Sequence, residues 1–313
     1  MSSLVSTSLS RIGLIGFGEV GQMLARELGA SRGLHIAAFD IAFHDCNSAP
    51  TRAAPALGIA AAATAAEAVA EAQLVVSAVT ASSALDAASS VTQHLRSGAF
   101  FLDLNSVAPG TKRQASAIIE AAHGHYVEAA VMSPVHPKRL GTPILLGGTH
   151  AADFLAIAQE LGLNATVFSD AVGPASAVKM CRSIMVKGLE ALSLECFLAA
   201  RRAGVDADVV ASLQQSFPGL SWAAMGEYNL ERMTTHGIRR AAEMREVVKT
   251  VEELGIAPLM ATATAEHQDT MGHLGLKQRC GGQLPEGLGP LLDAVHGLDP
   301  WRTDRSEASE AAE

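Results

Sequence analysis

Residues Arg11 to Asp40 read R-I-G-L-I-G-F-G-E-V-G-Q-M-L-A-R-E-L-G-A-S-R-G-L-H-I-A-A-F-D. Arg11–Ile15 is a short apolar run with the character of a buried strand. Gly16, Gly18 and Gly21 then form G-x-G-x-x-G, with Phe17, Glu19 and Val20 between them. Gln22–Leu28 has helical periodicity, and a second apolar run, Leu34–Phe39, stops at Asp40. Strand, glycine turn, helix, strand and acid in this order are the full context of a dinucleotide-binding turn. Gly16 permits the tight turn, Gly18 lets the backbone approach a pyrophosphate, and Gly21 lets helix and strand pack closely. The helix start supplies amide donors and partial positive charge for phosphates. Asp40, 19 residues after Gly21, would accept from a ribose 2′-hydroxyl and repel a 2′-phosphate. Arg52 is the first Arg or Lys after it. NAD is therefore expected in preference to NADP.

Outward from this stretch the alternation continues. Ala60–Ala72 is Ala-rich and helix-prone, Gln73–Val79 a buried-type strand, Ser82–Arg96 a helix, Ala99–Leu104 a strand and Ala108–Ala122 a helix. Tyr126–Val131 and Pro143–Leu146 are further strands, followed by helix Ala151–Leu161 and strand Ala165–Phe168. Such alternation specifies a parallel, doubly wound sheet. After Gly173 only helical stretches follow: Ala175–Arg202, Ala207–Gln215, Ser221–Met233, Arg239–Leu254, Leu259–Met271 and Pro290–Val295. The expected fold class is α/β, with a Rossmann-type doubly wound parallel sheet over residues 11–172. A long interdomain helix joins it to an all-α domain over 173–304. Residues 1–10 read as a flexible lead-in, and 305–313 as a disordered Glu/Ala/Ser tail.

The interdomain helix is apolar on most of its surface, as a largely buried helix is. Ser176, Lys179, Ser183, Lys187 and Glu190 nevertheless follow at steps of three and four, which stacks them on one face. Either a wet edge or the wall of a site has this pattern. The upstream fingerprint favours the wall.

Composition narrows the function. A net charge of −9 without a basic cluster argues against nucleic acid and anionic membranes. No run reaches membrane-spanning length and no leader pattern opens the chain, so a cytoplasmic protein is expected. The four cysteines are widely spaced without C-x-x-C, and read as reduced, mostly buried thiols. Of eleven histidines only His123 and His125 lie close together, so no metal is expected.

Ligands of doubly wound sheets bind beyond the carboxyl ends of the strands. Val79-Thr80 and Asp103-Leu104-Asn105-Ser106 are two such ends. Val79, Thr80 and Asn105 are candidates for the cofactor. Ser106 is either a substrate ligand or the cap of the helix beginning near Ala108. A third end, Glu128 to Pro134, leads into Val135-His136-Pro137-Lys138. Arg239 and Arg240 offer planar donors for a carboxylate or phosphate, or else form a solvated helix start.

With these residues assembled, the chain resembles the β-hydroxyacid dehydrogenase superfamily of 3-hydroxyisobutyrate and 6-phosphogluconate dehydrogenase-like enzymes. The resemblance runs from Arg11 to about Met271 and rests on I-G-L-I-G-F-G-E-V-G, D-L-N-S-V-A-P and V-G-P-A-S-A-V-K-M. K-M-C-R-S and H-G-I-R-R-A-A-E-M are most similar to a branch with a distinctive C-terminal domain. It implies Lys179 as general acid/base on a substrate hydroxyl while hydride passes to nicotinamide. Ser106 and, beside the lysine, Arg182 and Ser183 follow as substrate ligands, and Arg239 is a further candidate through its planar donors. A partly desolvated amine beside a cationic ring titrates nearer the working pH, which suits such a role.

Three places depart from the family pattern. Ser183 stands where an Asn is usual, E-A-A-V-M-S-P where D-A-P-V-S-G-G is usual, and Ala242-Glu243 where a Lys-Asp pair is usual. The substrate is therefore read only as a small β-hydroxy acid or related hydroxy compound, unphosphorylated because few basic side chains are on offer. Decarboxylation could follow oxidation chemically, but no residue indicates it. The alternatives are an imine reductase on the same fold, which Lys179 opposes, and a non-catalytic dinucleotide-binding protein. The apolar surface of the long helix implies a homodimer.

Overall fold

The computed structural model describes residues 9–29 and 33–298. The lead-in as far as residue 8 and the tail 305–313 lie outside the described residues.

The first strands and helices are β1 (Arg11–Ile15), α1 (Glu19–Gly29), β2 (His35–Phe39), α2 (Ala49–Ala56), β3 (Ala60–Ala61), α3 (Ala65–Val69), β4 (Leu74–Ser77) and α4 (Ala84–Val91). They are followed by β5 (Phe100–Asp103), α5 (Pro109–Ala121), β6 (His125–Val131), β7 (Ile144–Gly147), α6 (Ala151–Glu160) and β8 (Ala165–Ser169). The eight strands form one sheet in the order β3-β2-β1-β4-β5-β6-β7-β8. Its chain reversal between β1 and β4 is the switch point at which a doubly wound sheet opens a ligand crevice. Leu74–Ser77 is buried throughout, as a central strand covered on both faces must be. One apolar layer gathers Leu14, Leu24 and Phe154 on one face, and another gathers Val75, Phe101 and Tyr126 on the other.

Two features correct the expectations, one about strand direction and one about a helix. β7 runs antiparallel to β6, pairing Glu128 with Gly147 and Val131 with Ile144. The link between them, Met132–Pro143, carries three prolines and only a short 3₁₀ turn, so it cannot supply the crossover a parallel partner needs. Ala60–Ala61 is an edge strand and not the start of a helix, and Thr64 caps the real helix α3 by accepting from Glu67 N–H.

The remaining helices are α7 (Pro174–Ala203), α8 (Asp206–Ser216), α9 (Trp222–Glu253), α10 (Leu259–His273), α11 (Leu276–Arg279) and α12 (Leu288–Leu298). The chain divides into two compact units. One holds the sheet, the start of α7 through Arg182, and Glu246–Ala257; the other holds Ser183–Arg245 and the chain from Pro258.

In the second unit Leu194, Phe197, Leu230, Met233, Met271 and Leu292 form the core. Helix α9 is one continuous element where the sequence suggested two. Gly237 does not interrupt it: a Cβ there would meet the Gly272 amide nitrogen at 2.6 Å, so the paired glycines let α9 and α10 cross backbone to backbone.

The thiols also differ from expectation. Cys46, Cys181 and Cys196 are exposed and Cys280 is half-buried, all four free.

Candidate cofactor and proton-transfer site

The glycine turn is shaped by three different requirements. Gly16 has φ +95°, a left-handed conformation that favours glycine, and a Cβ on it would strike the Ala78 carbonyl. A Cβ on Gly21 would collide with the Gly16 carbonyl oxygen, so the helix can approach the strand only as glycine. Gly18 has neither constraint: its φ is ordinary, and no described atom beyond its neighbours lies within 4 Å of a Cβ built there. The protein's own packing gives no reason for glycine at 18. A diphosphate approaching the backbone at the start of α1 does, and this open cradle fits the dinucleotide.

Asp40 closes the turn from β2. Its Oδ2 accepts the Phe17 N–H at 2.7 Å and its Oδ1 accepts the Ala42 N–H at 2.8 Å, while Gly16 N–H donates to the Phe39 carbonyl at 2.8 Å. The Phe17 ring is buried and packs on Phe43, so this residue contributes its backbone to the turn. Glu19 is exposed in the first turn of α1, and Val20 half-buried behind it.

Beyond β4 the same loop system continues. Asn105 is buried; its Oδ1 accepts the Val79 N–H at 2.7 Å and its Nδ2 donates to Ser77 Oγ at 2.9 Å. The Asn105 side chain thus holds the end of β4 to the end of β5, and fixes the Val79-Thr80 backbone beside the turn. Thr80 Oγ1 is exposed within 3.3 Å of the Ser82 hydroxyl.

Ser106 does not cap α5. The cap position is Ala108, whose N–H donates to Glu246 of α9 at 2.9 Å, and Glu253 accepts the Gly110 N–H at 3.1 Å. The Ser106 hydroxyl instead accepts from Lys179 Nζ at 2.6 Å. An amine and a hydroxyl therefore meet at the carboxyl end of β5, within the compact unit that holds the glycine turn.

Under this loop lies a buried ionic group. Asp103 Oδ1 accepts the Asn105 N–H at 2.9 Å and faces Lys112 Nζ at 3.0 Å, and both side chains are essentially inaccessible. Lys112 also donates to the Asp103 carbonyl, and Tyr126 Oη donates to Asp103 Oδ2 at 2.7 Å. Burial, and then the Asp103 charge, pushes the Tyr126 phenol well above its ordinary range, so it remains a donor. Lys112 and Tyr126 had no signal in the sequence: a Lys within P-G-T-K-R-Q reads as a solvated helix residue.

Of the remaining candidates, Arg182 is exposed on α7 and Ser183 is buried one residue on. In the second unit Arg239 pairs with Glu243 along α9 at 2.9 Å. Arg240 is not at a helix start but buried in mid-helix, and both of its hydrogen-bonding nitrogens serve Glu190, which also accepts from Gln268 at 2.7 Å. Lys187 meets Glu243 at 2.8 Å, and burial pulls its ammonium below the usual lysine range against that attraction. Among the described residues no group of three or more His, Cys, Asp or Glu could hold a metal, and no helix is long and apolar enough to cross a membrane.

A Rossmann-type sheet with an open glycine cradle and an amine–hydroxyl pair beside it defines a dinucleotide-binding protein of the hydroxyacid dehydrogenase kind. Residues 11–168 match the NAD-binding domain of 6-phosphogluconate dehydrogenase, and residues 200–271 match a domain of unknown function, DUF1932. The chain belongs to the β-hydroxyacid dehydrogenase superfamily. A conserved hypothetical protein from Sinorhizobium meliloti is 34% identical, with TM-score 0.71, over 93% of this chain and 97% of its own. The conserved protein MTH1747, described as structurally similar to 3-hydroxyacid dehydrogenases, is 33% identical with TM-score 0.64 over 87% and 99%. The 3-hydroxyisobutyrate dehydrogenase of Mycobacterium tuberculosis, solved with L-serine, shares the fold at 17% identity and TM-score 0.68, over 93% and 99%.

Proposed function

We propose that this protein is an NAD-dependent dehydrogenase that oxidises a small, unphosphorylated β-hydroxy acid or related hydroxy compound, with Lys179 as the general acid/base. The observation that carries the reading is the 2.6 Å contact between Lys179 Nζ and Ser106 Oγ. It brings the Lys179 amine and the Ser106 hydroxyl together beside the strand ends, which supports proton transfer there. Gly16, Gly18, Gly21 and the backbone of Phe17, Glu19 and Val20 would hold the diphosphate, and Asp40 the adenosine ribose. Val79, Thr80 and Asn105 would line the other half. When bound, the nicotinamide supplies the hydride acceptor.

In the oxidising direction the neutral Lys179 amine takes the proton of the substrate hydroxyl as the C–H bond gives up its hydride, and in the reducing direction the ammonium returns it. Ser106 accepts from that amine and holds it in place. Arg182, Ser183 and Arg239 are the proposed partners of the substrate carboxylate. NAD is favoured over NADP because a 2′-phosphate would face the Asp40 carboxylate.

A second copy completes the molecule in this reading. Along α7 the large apolar side chains Val178, Met185, Leu189 and Leu192 point to solvent, Met185 64% and Leu192 52% exposed. Apolar exposure repeated along one helix face supports a homodimer buried there. Sedimentation at micromolar concentration that gave a monomer mass would rule this out. The free cysteines suit a reducing compartment, the cytoplasm.

The test is a spectrophotometric NAD-reduction screen over β-hydroxy acids, aryl-substituted serines and sugar acids, with Lys179→Ala alongside. The variant should lose about 10²-fold or more in kcat, with NADH affinity within about twofold of wild type. Undiminished turnover by Lys179→Ala would reject the mechanism.

A further inference from the structure

Helix α7, which carries Lys179, cannot cap its own amino terminus. Its cap residue is Gly173, which has no side chain, and its first residue is Pro174, which has no N–H. Gly173 is itself fixed as glycine by φ +122° and by Arg113, whose Nη1 would lie 2.8 Å from a Cβ. The acceptor that a Ser or Asp cap would provide comes instead from the sheet. Glu128 on β6 accepts the Gly173 N–H with Oε2 and the Ser176 N–H with Oε1, each at 2.7 Å. The carboxylate is fully buried, and Gly147 on β7 makes room for it, since a Cβ there would lie 2.5 Å from Oε2. Both oxygens are engaged by backbone donors at the positive end of a helix.

The register of the sheet gives this cap a second meaning. Glu128 is the direct partner of Asp103 on β5. Residues paired across parallel strands project to the same face. Asp103 holds the Asn105 N–H, and so the loop that presents Ser106; Glu128 holds the first turn of α7, and so the helix that presents Lys179. The two ends of the 2.6 Å Lys179–Ser106 contact are thus each tied to a buried carboxylate, on adjacent strands and at the same register position. Tyr126 and Lys112 lock Asp103; the α7 amides lock Glu128.

We infer that Glu128 is a positioning residue, paired with Asp103, whose role is to fix the amine of Lys179 on the hydroxyl of Ser106. This rests on Lys179 being the proton-transfer group, but the geometry can be tested without any turnover.

The probe is competitive acetylation of the full chain with trace acetic anhydride, read by peptide mass spectrometry as the labelling of Lys179 relative to Lys277, an exposed lysine. An amine held on a hydroxyl must leave it before it can attack the reagent. In Glu128→Gln one carboxylate oxygen becomes an NH₂ facing a backbone N–H, so one of the two cap bonds is lost. The Lys179/Lys277 ratio should rise by about fivefold, the order expected if a hydrogen bond of ~1 kcal/mol is released. Glu128→Asp keeps the charge but cannot reach both amides, and should raise the ratio too. Tyr126→Phe, which removes only the hydroxyl on Asp103, should raise it less from the Ser106 side, and serves if the Glu128 variants do not fold. A lowered melting temperature with the ratio unchanged from wild type, in whichever of these variants folds, makes the residue structural only and overturns the inference. Because no substrate enters the assay, an altered ratio stands even if Lys179→Ala proves fully active, which would reject the dehydrogenase mechanism alone.

Discussion

Gly18→Ala separates a glycine kept for a ligand from one kept for packing. In the protein alone the added methyl meets nothing within 4 Å and the backbone is already in a region that alanine adopts. The apo form should therefore keep its stability or gain about 0.4–1 kcal/mol from a stiffer unfolded chain. That corresponds to an unchanged Tm or a rise of about 1–4 °C for a chain of this size. Bound dinucleotide experiences the opposite. The methyl occupies the space through which the diphosphate reaches the backbone, and losing one hydrogen bond to a charged group costs about 1.5–3 kcal/mol. NADH affinity should drop about 10- to 150-fold. Gly21→Ala is the contrasting change: its Cβ lands on the backbone carbonyl of Gly16, which cannot rotate away. Overpacking of about 1–3 kcal/mol lowers the apo Tm by about 2–12 °C. Thermal melting without ligand and calorimetric titration with NADH measure both effects. If Gly18→Ala binds NADH within twofold of wild type, or melts as low as Gly21→Ala, the assignment of the cradle is wrong.

Three further outcomes follow from the same structure. Asp40→Ala should raise NADPH affinity relative to NADH by about tenfold or more if Asp40 faces the ribose as proposed, and it should also lower the Tm, since the Phe17 and Ala42 amides lose their acceptor; paired titrations with the two cofactors check it. Lys112→Met removes the only cation within salt-bridge reach of the buried Asp103 among the described residues, and denaturant unfolding should show a loss of about 3–5 kcal/mol. His125 stacks on His150 with ring centroids 4.1 Å apart, and burial followed by that neighbour holds its pKa below the usual histidine value, with Glu120 and Asp153 opposing. The folded form then binds fewer protons than the unfolded chain, so His125 favours folding above the unfolded value and that contribution is lost as pH falls through about 6.5 and below. His125→Gln should flatten the decline of Tm between about pH 7 and pH 5; an unaltered slope would assign the decline to other groups.

Much of the nucleotide-binding architecture was legible because it is local. The spacing of Gly16, Gly18, Gly21 and Asp40 and the apolar runs on either side depend on neighbouring residues alone. What escaped reading depends on distant partners. Ala60–Ala61 is a strand only because β2 lies beside it, and alanine's own preference is helical. The sequence separated Ser221–Met233 from Arg239–Leu254, yet Gly237 in that gap continues the helix and meets Gly272, thirty-five residues away in sequence. Ser106 could not be decided between cap and ligand, because the capping carboxylate, Glu246, comes from α9. Glu128 did carry a signal: a lone acid inside the buried strand H-Y-V-E-A-A-V requires a partner in the fold. The sequence could not say that the partner was the amino terminus of α7.

The polar stripe on α7 brings these points together. Ser176, Lys187 and Glu190 are all buried, while Val178, Met185, Leu189 and Leu192 are exposed. A helix in water would be expected to turn the other way. The buried side is tolerable because its charges are matched inside the second unit: Lys187 on Glu243, and Glu190 on Arg240, with a further hydrogen bond from Gln268. An unmatched buried charge costs several kcal/mol, so these pairs fix the rotation of α7 about its axis. Once that rotation is fixed, the apolar side has no place in the chain's own core. Fully burying a large apolar side chain is worth about 1.5–3 kcal/mol, and the partial exposure of Met185, Leu189 and Leu192 is what the proposed dimer would remove from water. If α7 forms the proposed dimer seam, replacing Leu189 with Glu should shift the sedimenting species from dimer to monomer while NADH binding to the glycine turn persists. A dimer that survives this change would place the interface elsewhere.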